Sequence, residues 1–116
     1  MSSSSLGKAA EKRAKEHFTA NGYRLITSQL SRGPADFLAS KPGQTLAVQV
    51  KRSERSGGGI GPADWNELWD FAADFNAVPL VVFAPSVRGL RFMRVTGPKV
   101  QRGPQPWVPF VVDFVD

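Results

Sequence analysis

The segment Pro79-Leu80-Val81-Val82-Phe83-Ala84 is an unbroken apolar run, and it limits the possible folds more than any other feature of the chain. A strand of this composition is typical of one buried on both faces. The chain has 116 residues, 41% hydrophobic and 22% charged, which suits one domain with a single core and rules out two. Three Trp and eight Phe supply apolar surface to set against the entropy of folding, so a disordered chain is excluded.

The other elements follow from spacing. Residues 1–5 are a polar, Ser-rich leader expected to be flexible, with Ser5 available as a helix N-cap; residues 6–116 form the single domain. Leu6, Ala10, Ala14 and Phe18 predict an amphipathic helix from Leu6 to Ala20, stopped by Asn21-Gly22 and followed by a strand from Tyr23 to Thr27. Turn chemistry at Ser31 to Pro34 precedes a short apolar run, Ala35 to Ala39, interrupted by Asp36. A second turn at Lys41 to Gln44 leads to Leu46–Lys51, where Leu46, Val48 and Val50 alternate with Ala47, Gln49 and Lys51, so the two runs predict a hairpin. Ser53 to Gly61 holds four glycines and reads as a loop. Pro62 opens a second helix carrying Trp65, Leu68, Trp69 and Ala72, whose pattern ends near Asn76. Leu90–Val95 is a weaker strand, the Pro-rich stretch 97–109 is irregular, and Val108 to Val115 has the composition of a last strand. Helix, three strands, helix, two strands is the order of a small mixed sheet flanked by helices.

Several chemistries are excluded outright. With no cysteine there is no disulfide framework, thiolate zinc site, iron–sulfur cluster or cysteine nucleophile. The single histidine, His17, sits at the boundary of the first helix's apolar stripe, which leaves no metalloprotease helix and no Ser-His-Asp triad. No apolar run approaches the ~20 residues that span a bilayer, and the first seven residues lack a secretion signal, so a soluble, cytoplasmic protein without membrane contact is expected.

Charge points to a polyanion. Lys and Arg number 15 against 10 Asp and Glu, a formal +5, and four of those ten acids, Asp64, Glu67, Asp70 and Asp74, lie on the second helix. Elsewhere the basic residues prevail. Lys8, Lys12, Arg13, Arg32, Arg52 and Arg55 group around the segments discussed next and are the candidate phosphate contacts, and the glycine loop at Gly58 allows close backbone approach.

Three polar side chains stand where an apolar pattern would not put them: Asp36 on one strand, Gln49 and Lys51 on the next. Hairpin pairing brings a carboxylate, an amide oxygen and an ammonium together. A hard cation such as Mg²⁺, or Mn²⁺ in its place, takes oxygen ligands, and Asp36, the Gln49 side chain and the Val50 carbonyl offer them. Lys51 is placed to orient or deprotonate an attacking water, so the set suits phosphodiester cleavage.

Gly33-Pro34-Ala35-Asp36 followed by Gln49-Val50-Lys51 resembles the bipartite motif of the PD-(D/E)xK nuclease superfamily. With Gly7-Lys8-Ala9-Ala10-Glu11, Gly22-Tyr23, Pro79 to Phe83 and Gly89-Leu90-Arg91-Phe92, in that order, the chain resembles the archaeal-type Holliday junction resolvases from about Leu6 to Val95. The resemblance implies a restriction-endonuclease-like α/β fold, a mixed central sheet flanked by helices, and a homodimer that cuts branched DNA, the four-way junction, with paired nicks. It further implies Glu11 as a helix-borne carboxylate at the metal, Asp36 as central ligand, Gln49 in the place usually held by Glu, Lys51 as catalytic lysine and Ser31 near the scissile phosphate. Gln49 departs from the family's usual carboxylate and removes one negative charge, which weakens a second metal. Two alternatives stay open: a restriction-like or repair endonuclease on duplex DNA, and a catalytically degenerate DNA-binding module.

Overall fold

The computed structural model describes residues 2–27, 35–51, 61–84, 90–98 and 107–109. Its elements are α1 (Ser2–Ala20), β1 (Arg24–Thr27), β2 (Phe37–Lys41), β3 (Gln44–Lys51), α2 (Pro62–Asp74), β4 (Val78–Phe83), β5 (Arg91–Val95) and β6 (Trp107–Pro109). The six strands make one sheet in chain order. Neighbours are antiparallel except β3 and β4, which are parallel and joined through α2.

Alternation along the central strands sorts the core into two layers. Leu46 and Val48 of β3 and Leu80 and Val82 of β4 pack with Ala14 and Phe18 of α1. Ala47, Val81 and Phe83 pack instead with Trp65, Leu68 and Ala72 of α2. β4 is thus covered on both faces, as its composition requires. The Trp65 indole N–H donates to the Gly97 carbonyl at 2.9 Å, tying α2 to the chain just beyond β5.

Both helices end by the same device. After α1, the Tyr23 N–H donates to the Phe18 carbonyl and the Gly22 N–H to the Thr19 carbonyl, with Gly22 at φ 90°. After α2, the Ala77 N–H reaches the Ala72 carbonyl and the Asn76 N–H the Ala73 carbonyl, with Asn76 at φ 52°. These are Schellman motifs, in which a left-handed residue turns the chain back on the last carbonyls. The first carries the expected apolar clasp, with the Phe18 and Tyr23 ring centroids 5.3 Å apart.

Three boundaries differ from those expected. α1 begins at Ser2, so residues 2–5 extend the helix instead of forming a leader, and Ser5 is not its N-cap. The apolar stripe marks only the part of a helix that packs, and backbone hydrogen bonding carries the helix past it. β2 begins at Phe37, not Ala35, which leaves Asp36 just ahead of the strand. The last strand is Trp107–Pro109; residues 110–116, like the glycine loop 52–60, lie outside the described residues.

β2 and β3 are joined by Pro42 and Gly43, with Lys41 paired to Gln44. Proline first and a glycine at φ 83° second is the arrangement of a type II turn. Nothing lies within 4 Å of a Cβ built on Gly43, so Gly43→Ala meets conformational strain and no clash. It is expected to lower stability by about 1 kcal/mol in urea titration, with the fold retained.

Candidate active site

Asp36 meets β3 through its side chain. Its Oδ2 accepts the Val50 N–H at 2.7 Å, while its own N–H donates to the Val48 carbonyl at 2.7 Å. Ala35 packs on the α2 side and Phe37 on the α1 side. Residues two apart in a regular strand share a face, so the alternation breaks at Asp36. There the carboxylate takes the ladder position that a backbone carbonyl would otherwise fill. Since Val50 directs its N–H toward this end of β2, its carbonyl faces the same side. The paired register ends at Phe37 and Val48, and Asp36 is held to β3 by its bonds to Val48 and Val50, the residues on either side of Gln49.

The electrostatics identify the neighbours. Burial pushes the Asp36 carboxyl above its ordinary range; the Val50 N–H opposes that shift, the Glu11 carboxylate adds to it, and Lys51 and Lys15 pull it down. Asp36 therefore feels charges from α1 and from the end of β3 together. Among the described residues, Lys51 makes no ion pair, and its carbonyl is held by the Ala84 N–H at 2.8 Å, which fixes the end of β3 against β4.

Glu11 stands half-exposed on α1, paired with Lys15 at 2.8 Å. Both lie on one flank of the buried stripe Ala10, Ala14 and Phe18, and exposed Lys8 and Lys12 continue outward on that flank. Arg13 lies on the other flank with His17, whose ring centroid is 4.9 Å from that of Phe92. The structure thus brings Asp36, Gln49, Val50 and Lys51 to one end of the β2–β3 pair, with Glu11 near enough to Asp36 to act on its charge, and sets Arg13 apart. Ser31, Arg32, Arg52, Arg55 and Gly58 lie outside the described residues. Lys15 belongs to this locus too, four residues from Glu11 on the same flank of α1, the spacing at which an acid and a base pair on a helix.

The donors are all oxygens, two carboxylates, one side-chain amide and one backbone carbonyl, a set that fits Mg²⁺ or Mn²⁺ and not zinc. A half-buried carboxylate beside a second carboxylate, with its pKa raised, is an environment that a divalent cation relieves. Among the described residues no three His, Cys, Asp or Glu side chains group closely enough to hold a metal by themselves, so the neutral Gln49 and Val50 oxygens would have to complete the set.

A helix, three antiparallel strands, a crossover helix and a parallel fourth strand, with an aspartate ahead of the second strand and a lysine at the end of the third, make the restriction-endonuclease-like α/β fold. Its architecture is similar to that of Hjc, a Holliday junction resolvase from the archaeal hyperthermophile Archaeoglobus fulgidus, with a TM-score of 0.66 over 74% of this chain and 70% of that one, at 21% sequence identity. No family model and no curated protein matches the chain in sequence. Among the described residues no helix is long and apolar enough to cross a membrane.

Proposed function

We propose that this chain is a divalent-metal-dependent endonuclease that cuts branched DNA, resolving four-way junctions by paired phosphodiester nicks. The observation that carries the proposal is the Asp36 carboxylate bonded into the Gln49-Val50-Lys51 segment, beside Glu11, on a fold shared with a junction resolvase.

In this reading Asp36, Gln49, the Val50 carbonyl and Glu11 hold the cation. When bound, it polarises the scissile phosphate and lowers the pKa of the attacking water. Asp36 is preorganised for its part, since the Val50 N–H fixes one carboxylate oxygen. Lys51 orients the water and offsets the charge that accumulates on the phosphate as the water oxygen bonds to phosphorus and the ester oxygen departs. Lys8 and Lys12 lie on the α1 flank that holds Glu11, where they can meet phosphates on either side of the cut.

Two symmetric cuts call for two sites, and a two-fold homodimer supplies them. Phe75 supports such an interface: it is 54% exposed, with its ring centroid 4.8 Å from that of half-buried Phe71. The outer face of α2 carries exposed Asp64, Glu67, Asp70 and Asp74, which directs DNA to the opposite side of the molecule.

The test is cleavage of end-labelled four-way junction, flap and linear duplex of matched sequence with Mg²⁺. Paired nicks in the junction at least tenfold faster than in the duplex are expected. Equal rates would make the protein a duplex nuclease. Tight junction binding without cutting would favour a binding-only module, the reading to which the neutral Gln49 and the lack of a three-carboxylate group among the described residues lend weight.

A further inference from the structure

We propose that Lys15 is a positioning residue that sets the cation capacity of this site: by engaging the Glu11 carboxylate it holds the centre near charge balance and limits it to one divalent ion. The inference rests on the metal-dependent reading above and concerns the ion count that reading leaves open.

The argument starts from charge. Asp36 and Glu11 are the two anions of the locus, Lys15 and Lys51 its two cations, and Gln49 contributes none. A Glu–Lys pair four residues apart, with the acid nearer the helix N-terminus, is an ordinary surface arrangement of little energetic weight. Position takes this pair out of that class. The Lys15 Nζ lies 5.7 Å from the centroid of the Phe37 ring, on the residue that follows Asp36. Both partners are only about a third exposed or less, at 27% and 34%. Both also act on Asp36, with opposite signs.

Two consequences follow. A cation at Asp36 reaches Glu11 only by competing with an ammonium already 2.8 Å from it. A second divalent ion would enter against that ammonium with no carboxylate at position 49 to offset it. Lys15 thus provides, as a fixed side chain, positive charge that a carboxylate-rich centre would take from solution.

The test is Mn²⁺ binding to the full chain without DNA, read from the loss of the free-ion electron paramagnetic resonance signal. Lys15→Met keeps the aliphatic stem against Phe37 and removes the charge; it is expected to bind Mn²⁺ roughly tenfold more tightly or to take up a second ion. Lys15→Arg keeps the charge and is expected to match the parent, whereas Asp36→Asn is expected to lose binding. Unchanged or weaker affinity in Lys15→Met, or tightening in Lys15→Arg as large as in Lys15→Met, overturns the inference while loss of binding in Asp36→Asn leaves the site reading intact. Parental Mn²⁺ binding in Asp36→Asn, or none in the parent, overturns the site reading and this inference with it.

Discussion

Asp36→Asn is expected to lower junction cleavage by about 10³-fold or more while junction binding stays within about threefold of the parent and the melting temperature rises at pH 7. The two effects have one cause. Burial and the Glu11 carboxylate disfavour the ionised form of Asp36 more than the Val50 N–H, Lys51 and Lys15 favour it. A carboxyl whose pKa rises on folding binds protons more readily in the native state than in the unfolded one. It therefore destabilises the protein at neutral pH, and the penalty fades as pH falls through the raised native value. Asparagine retains an oxygen for the Val50 N–H and carries no charge, so the fold gains what the chemistry loses. The gain should shrink as the solution is acidified into the range where Asp36 itself protonates. Thermal melts of both proteins across pH, run beside the cleavage assay, check this. A lower melting temperature for Asp36→Asn at pH 7 would mean that the ionised carboxylate is a structural element and not a poised ligand.

Lys51→Met has the second largest expected effect, a fall in single-turnover cleavage of about 10²–10⁴-fold with Mn²⁺ binding retained and not weakened, since the ammonium removed is one of the locus's two cations. Lys51 ends β3 with its carbonyl held by Ala84, and it makes no ion pair among the described residues. Methionine preserves the stem and removes the ammonium, so the strand should remain intact. Quench-flow measurement on a preformed protein–junction complex separates the chemical step from binding. Parental single-turnover rates in Lys51→Met would assign the lysine to DNA contact or to solvent.

Much of this was legible in the sequence because it rested on periodicity and turn chemistry. The run ending at Ala84, the helical spacing of Ala10, Ala14 and Phe18, and the alternation in Leu46–Lys51 each report which faces are buried, and burial sets the layers. The Pro42-Gly43 turn fixed the register that carries Phe37 to Val48 and so brings Asp36 to the Val48–Val50 segment. What sequence could not supply was the local irregularity. An aspartate inside an apolar run reads as part of the strand, yet the structure breaks the alternation there and uses the side chain as a hydrogen-bond acceptor for Val50. Periodicity also treats every lysine on an exposed flank alike. Only the packing of α1 on the sheet separates Lys15, beside Phe37, from Arg13 on the far flank.

The most direct test is to find where a divalent ion sits. Fe²⁺ substituted for Mg²⁺, with ascorbate and peroxide, cuts the polypeptide next to the bound ion, and the fragments can be mapped by mass spectrometry. Cuts confined to the neighbourhoods of Glu11, Asp36 and Gln49–Lys51, suppressed by excess Mg²⁺ and lost in Asp36→Asn, are expected. Fragments mapping elsewhere, or the same fragments from Asp36→Asn, would contradict a metal-dependent nuclease centre at the junction of β2 and β3.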